Sequence, residues 1–128
     1  MADRTTVLVV DDNDMMRKLL TAELSQDARL HVESAATAAE GLQKAVSSGP
    51  SVIVLDMILP DMDGLKFLER LKEVRPDAPS VIAITGASAV AIPDAIIEGP
   101  YRGIVSAVFR KPFDHAKLRE TVQFCAGI

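Results

Sequence analysis

Five side chains with the means to do chemistry fall at equivalent places along this sequence. Asp11 and Asp12 follow the apolar run Val7–Val10, and Asp56 follows Val52–Leu55. Thr85 follows Val81–Ile84, and Lys111 comes shortly after Val105–Phe109. If these runs are parallel strands, their carboxyl ends share one rim, which is where open α/β sheets bind ligands. Three carboxylates, one hydroxyl and one ammonium would then meet. Crowded carboxylates repel, so at least one should have a raised pKa, and a divalent cation would relieve the repulsion. Oxygen ligands suit a hard cation, Mg²⁺ first, with Mn²⁺ able to substitute. No histidine or cysteine belongs to the pattern, which argues against zinc. A carboxylate can attack phosphorus to give an aspartyl phosphate. Metal, lysine and hydroxyl would neutralise charge on the phosphoryl oxygens. Taken singly, each residue has a plainer explanation, as a turn residue, a strand-end hydroxyl or a solvated charge. Their joint occurrence at successive strand ends carries the argument.

The elements that must hold these residues are legible in the hydrophobic pattern. The first three runs are almost unbroken and rich in Val and Ile, as in parallel strands covered on both faces. Leu30–Glu33 alternates instead, which suits an edge strand. Met16, Leu19, Leu20 and Leu24 recur at helical spacing, with Asn13 or Asp14 as N-cap. Thr37 and Glu40 have capping-box spacing for a second helix that ends by Gly49-Pro50. Leu65, Leu68 and Leu71 give a third helix its apolar face, and Pro76 follows its end. Between Thr85 and Lys111 the pattern is least regular. Pro93 at a first helical position and Gly99 past the end leave a fourth helix of under two turns, followed by a loop from Pro100 to Gly103. Asp114 can cap a last helix with Leu118, Val122 and Cys125 facing inward. Alternating strands and helices imply one doubly wound α/β domain spanning 1–128.

Composition narrows the function classes. The chain has 128 residues, 48% hydrophobic and 25% charged, an ordinary globular balance that can bury a core unaided. Net charge is −4 without a basic cluster, which argues against nucleic-acid binding. No signal-peptide pattern and no run of membrane-spanning length is present, so no membrane insertion is expected. Cys125 is the only cysteine, which excludes an intramolecular disulfide and fits a cytoplasmic location.

The motifs Leu8-Val-Val-Asp-Asp12, Leu55-Asp-Met-Ile-Leu-Pro-Asp-Met-Asp-Gly64, Ile84-Thr-Gly86 and Lys111-Pro-Phe-Asp114 occur in that order. In this the chain resembles the receiver domains of two-component response regulators, of the chemotaxis-regulator-like, stand-alone type. The resemblance implies a five-stranded flavodoxin-like sheet of order 2-1-3-4-5. It implies that Asp56 is the phosphoacceptor, supplied by a histidine kinase or a histidine phosphotransfer protein. Asp12, Asp56 and the backbone carbonyl of Ile58 would be direct Mg²⁺ ligands, and Asp11 would act through water. Thr85 would be the switch hydroxyl and Lys111 the partner of the phosphoryl group. The Lys111-Pro112 bond is cis in similar receivers.

Three departures from that family pattern stand out. Receivers usually carry Tyr or Phe three residues before the lysine, where this chain has Val108, with Phe109 one residue later. A one-residue shift along a strand reverses the face of a side chain. The stretch between Thr85 and Lys111 is a few residues longer than usual and makes the fourth-helix region atypical. Ile58 and Ala87 occupy the positions that tune phosphate lifetime, and a bulky Ile58 cannot orient water, so slow dephosphorylation is expected.

The expected function is a response regulator that takes phosphate on Asp56 and then alters its contact with a downstream protein or passes the phosphate on. It would turn over no external substrate. Two other classes compete. An aspartyl-nucleophile phosphatase would carry a second acid two residues after Asp56, where this chain has Ile58. An interaction module that works without phosphorylation would not need the complete acidic, hydroxyl and lysine set. Asp61-Met-Asp-Gly64 resembles the start of a calcium loop, but the further ligands are missing. His31 and His115 lie outside the pattern of site residues.

Overall fold

The computed structural model describes residues 4–86 and 103–128. Along the chain run β1 (Thr5–Val10), α1 (Asp14–Leu24), β2 (Leu30–Ala35), α2 (Ala38–Ser47), β3 (Val52–Asp56), α3 (Gly64–Val74) and β4 (Ser80–Thr85). After the undescribed stretch come β5 (Val105–Arg110) and a last helix, here α4 (His115–Ala126). The suggested short helix from Pro93 to Gly99, with Ala87 and the loop residues that precede Gly103, lies outside the described residues. All pairings in the sheet are parallel, in the order β2-β1-β3-β4-β5. This is the order the resemblance implies. β2 lies at an edge, as its alternation suggests, with Leu30 buried and His31 exposed.

The apolar strands are buried because helices cover both faces. On one face Leu8, Val10, Ile53 and Leu55 pack with Ala38 and Ala45 of α2 and with Phe67, Leu68 and Leu71 of α3. On the other, Val7, Val9, Val54 and Ile82 pack with Leu20 and Leu24 of α1 and with Leu118 and Val122 of α4. Successive strand residues thus feed alternate layers, as the strand repeat requires. Two helix faces differ from the sequence reading. Leu19 is 45% exposed, so the apolar face of α1 is narrower than its spacing suggests. In α3 the largest buried side chain is Phe67, while Leu65 is only partly buried against the core.

The helix starts follow local chemistry. Asn13 caps α1, its side chain accepting from Met16 N. Thr37 caps α2 through Glu40 N, and Asp114 caps α4 through Ala116 N and Lys117 N. The predicted capping box is modified. Glu40 Oε1 accepts from Ala36 N, one residue before the cap, at 2.8 Å. Among the described residues, no helix is long and apolar enough to cross a membrane.

The far edge of the sheet contains an irregularity. Val81 pairs with Val105, but Ile82 pairs with Ala107, so Ser106 is bulged out. Beyond such a bulge the alternation of faces is reversed. Val108 therefore packs on the α2/α3 side of the sheet, and Phe109 on the α1/α4 side. There Phe109 meets Phe113 edge-on, with ring centroids 5.9 Å apart.

Candidate functional site

Parallel pairing brings the ends of β1, β3, β4 and β5 to one rim. Asp11 continues β1, its N–H donating to Ala35 O of β2 at 3.1 Å. Asp11 is 1% exposed. Oδ1 accepts from Asn13 N at 2.8 Å, whereas Oδ2 is buried without a hydrogen-bond partner. The Asp11 carbonyl accepts from Arg17 Nη1 at 2.7 Å, so α1 buttresses this turn from outside the cluster. Asp12, one residue on, is exposed.

Asp56 ends β3 and is 6% exposed. Oδ1 accepts from Ile58 N at 2.9 Å and Oδ2 from Lys111 Nζ at 3.1 Å. Lys111 is set beside β4 by its own N–H, which donates to Thr85 O at 2.9 Å. Its ammonium also lies 3.7 Å from Asp11 Oδ2, an ion pair too long for a hydrogen bond. The Lys111-Pro112 bond is cis. Thr85 ends β4 with a buried Oγ1 that has no hydrogen-bond partner. A strand-end threonine normally spends its hydroxyl on nearby backbone; this one does not.

The electrostatics follow from that geometry. Burial pushes the Asp11 carboxyl above its usual range, and the charges of Asp56 and Asp12 add to the shift. The Asn13 amide and Lys111 oppose it without cancelling it. Burial tends to lower the Lys111 pKa, but the hydrogen bond and charge of Asp56, helped by Asp11, outweigh it and hold the ammonium protonated. Asp11, Asp12 and Asp56 each offer one oxygen within 4.8 Å of the others. Three carboxylates against one ammonium leave two negative charges uncompensated in the cluster. Asp11 Oδ2, which accepts no hydrogen bond, and this excess charge fit a divalent cation held by oxygen.

The loop between Asp56 and α3 is tightly folded. Ile58 bridges Asp63 in antiparallel fashion, and Gly64 N donates to Met57 O at 2.8 Å. A Cβ on Gly64 would lie 2.8 Å from Met57 Cα, so this close approach needs glycine. Asp63 then caps α3 by accepting from Lys66 N. The Ile58 side chain points outward and is 69% exposed.

The structure thus brings together Asp11, Asp12, Asp56, Thr85 and Lys111, with the Ile58 backbone beside them. Two supporting residues escaped the sequence reading. Arg17 has only its helical spacing from the aspartates as a clue. Asp61 lies in the loop after Asp56, and its carboxylate accepts from Ala38 N at 2.9 Å and Ala39 N at 3.1 Å. No local pattern links residues 23 positions apart.

Comparison with known proteins agrees with this geometry. The family model for the response regulator receiver domain matches residues 7–123. A protein-glutamate methylesterase/protein-glutamine glutaminase of Cereibacter sphaeroides is 42% identical over 80 residues, covering 62% of this chain and 22% of that protein. A similarly named Xanthomonas oryzae protein is 46% identical over 71 residues, covering 55% and 20%. The match to these curated relatives therefore spans only about a fifth of their length. Among solved structures, a CheY-like response regulator receiver domain protein from Methanospirillum hungatei superposes with a TM-score of 0.82 at 26% identity, covering 98% of this chain and 95% of that one. The receiver domain of a LuxO-type repressor from Vibrio parahaemolyticus also gives 0.82, at 23% identity over 97% and 91%, a likeness of fold. With the family match covering nearly the whole chain and the strand order in place, this chain belongs to the response regulator receiver domain family.

Proposed function

We propose that Asp56 accepts a phosphoryl group from the phosphohistidine of a histidine kinase or phosphotransfer protein, in a Mg²⁺-dependent reaction. The observation that carries this reading is the Asp56 carboxylate, nearly buried, with Lys111 Nζ 3.1 Å away and two further carboxylates within 4.8 Å. In the transfer a carboxylate oxygen of Asp56 forms the new P–O bond while the P–N bond to the donor imidazole breaks. The electron pair stays with that nitrogen. Lys111 screens charge on the carboxylate before transfer and on the phosphoryl oxygens afterwards. Thr85 brings a hydroxyl with no competing partner, free to donate to a phosphoryl oxygen. The Ile58 amide orients Asp56 by holding Oδ1.

Asp12, Asp56 and the Ile58 carbonyl would hold Mg²⁺ directly, and Asp11 through water. When bound, the ion neutralises carboxylate charge and polarises the phosphoryl group. The modified protein would act as a single receiver unit over 1–128 in the cytoplasm, by changed contact with a downstream protein or by onward phosphotransfer. It would turn over no external substrate. The test is incubation with acetyl phosphate and Mg²⁺, read by intact mass. Wild type should gain one phosphoryl group and Asp56→Asn none. An unmodified wild type, or an equally modified variant, would overturn the reading.

A further inference from the structure

We propose that Asp61 is a positioning residue, a clamp that ties the loop after Asp56 to the start of α2 and so holds the Ile58 backbone in place beside Asp56. The proposal rests on the reading of Asp56 and Mg²⁺ given above.

The first turn of a helix leaves N–H groups without partners inside the helix. In α2 these are accounted for one by one. Gly41 N donates to Thr37 O, the first bond of the helix, and Glu40 N donates to Thr37 Oγ1. The cap residue thus serves Glu40 and leaves Ala38 and Ala39. Both are taken by the two oxygens of Asp61, which comes from a different connection of the chain. Those two amide bonds hold the Asp61 carboxyl below the usual carboxylate range. The positive end of the α2 dipole also favours the charge.

The loop that carries Asp61 is the one that carries Ile58. At its base, Ile58 bridges Asp63 and Gly64 N meets Met57 O. Leu59, 7% exposed, plugs into the core, and Met62 packs against the same cluster. Apolar contacts of this kind hold position without fixing direction. Two charge-assisted hydrogen bonds fix both. Asp61 therefore limits how far the loop, with the Ile58–Asp63 bridge at its base, can shift relative to α2. Such a shift would disturb the Ile58 N–H bond to Asp56 Oδ1 and the carbonyl assigned to the cation. A partner hydrogen-bonded directly to a metal ligand is commonly worth an order of magnitude or more in metal affinity; Asp61 acts through the loop, so that figure is the upper end of its effect.

The test compares Asp61→Ala and Asp61→Asn with Thr37→Ala in the full chain. Thr37→Ala weakens the same helix start without touching the loop. Three readouts are taken: amide hydrogen exchange at Ile58 in metal-free protein, the midpoint of a Mg²⁺ titration followed by amide chemical shifts, and the initial rate of phosphoryl uptake from acetyl phosphate. Asp61→Ala should speed Ile58 exchange and raise the Mg²⁺ midpoint by up to about tenfold, with slower uptake. Asp61→Asn keeps one acceptor oxygen and should fall between, and it remains informative if the alanine variant folds poorly. Thr37→Ala should lower the melting temperature yet leave Ile58 exchange and the Mg²⁺ midpoint at wild-type values. Equal effects of Asp61→Ala and Thr37→Ala on the Mg²⁺ midpoint would overturn the clamp, as would wild-type Ile58 exchange in both Asp61 variants. If wild type binds no Mg²⁺ and gains no phosphate, the functional reading fails, while Ile58 exchange still decides whether Asp61 holds the loop.

Discussion

Lys111 stands between two buried carboxylates. It lies 3.1 Å from Asp56 and 3.7 Å from Asp11, and its charge offsets part of theirs. Any cation entering the cluster must therefore bind in the presence of a positive neighbour. Removing that neighbour should favour cation binding but deprive the phosphoryl oxygens of a donor. Lys111→Ala is expected to bind Mg²⁺ more tightly than wild type while taking phosphate from acetyl phosphate about a hundredfold more slowly, the usual cost of losing one preorganised donor. Mg²⁺ titration and intact-mass time courses on one preparation measure both. Weaker binding together with slower uptake would mean that Lys111 serves mainly to hold the site's shape. Ile58 acts on the reverse reaction. Its exposed, apolar side chain stands at the rim and offers no group to orient an attacking water. The aspartyl phosphate is accordingly expected to last minutes rather than seconds, and Ile58→Gln should shorten it several-fold. A wild-type half-life of seconds, followed by intact mass after removal of acetyl phosphate, would contradict this.

Elements divide into those whose rules are local and those whose rules are not. Caps at Asn13, Thr37 and Asp114 use side chains within three residues of the amides they serve, so the sequence displays them. The strands of the sheet interior show as apolar runs because both faces are buried. The faces of β5 could not be read this way. One bulged residue, Ser106, reverses the alternation, and its position depends on pairing with β4. The clamp from Asp61 to α2 and the exposure of Leu19 likewise depend on neighbours distant in sequence. Asp27 combines the two kinds of rule, with three local bonds and one distant one. It lies between α1 and β2 and accepts from Arg29 N, Nε and Nη2, and from Gln123 Nε2 of α4 at 3.0 Å. The Arg29 hydrogen bonds, chiefly, hold its carboxyl well below the usual carboxylate range. A depressed folded-state pKa means that the ionised form stabilises the fold. That contribution is complete above the unfolded value of about 4 and fades as pH falls through the folded value. Asp27→Asn should therefore be less stable than wild type at neutral pH, and the gap should narrow steadily below about pH 4. Urea unfolding of both proteins across that range measures the gap, and one that stayed constant with pH would assign Asp27 a purely steric role.

Across the molecule, the rim carries charge that the fold does not need. The interior is supplied by two apolar layers, one on each face of the sheet, and neither draws on Asp11. Asp11 is nonetheless buried at the end of an interior strand, with one oxygen accepting no hydrogen bond and two other carboxylates close by. Burying a charge that Lys111 offsets only in part costs free energy, and sites kept for function commonly bear such a cost. Asp11→Asn retains an acceptor for the Asn13 amide and removes the charge. In the absence of divalent cation the variant should melt above wild type. Mg²⁺ should act in the opposite sense. At a hundred times its dissociation constant, a ligand specific to the folded state adds about 2.7 kcal/mol. In a domain of this length that is a rise of roughly 10 °C. Wild type should show that rise, and Asp11→Asn should show much less of it, because one of the three charges that attract the ion is gone. Thermal melts of both proteins with and without Mg²⁺ give four temperatures, and the order matters more than the values. A variant that melts below wild type without the ion would mean that Asp11 supports the fold in its own right. A variant that keeps the full Mg²⁺ increment would place the ion's binding on Asp12 and Asp56 alone. The expected order, variant above wild type when apo and the gap closed or reversed by Mg²⁺, would identify Asp11 as a residue retained for the cation at the expense of the apo fold.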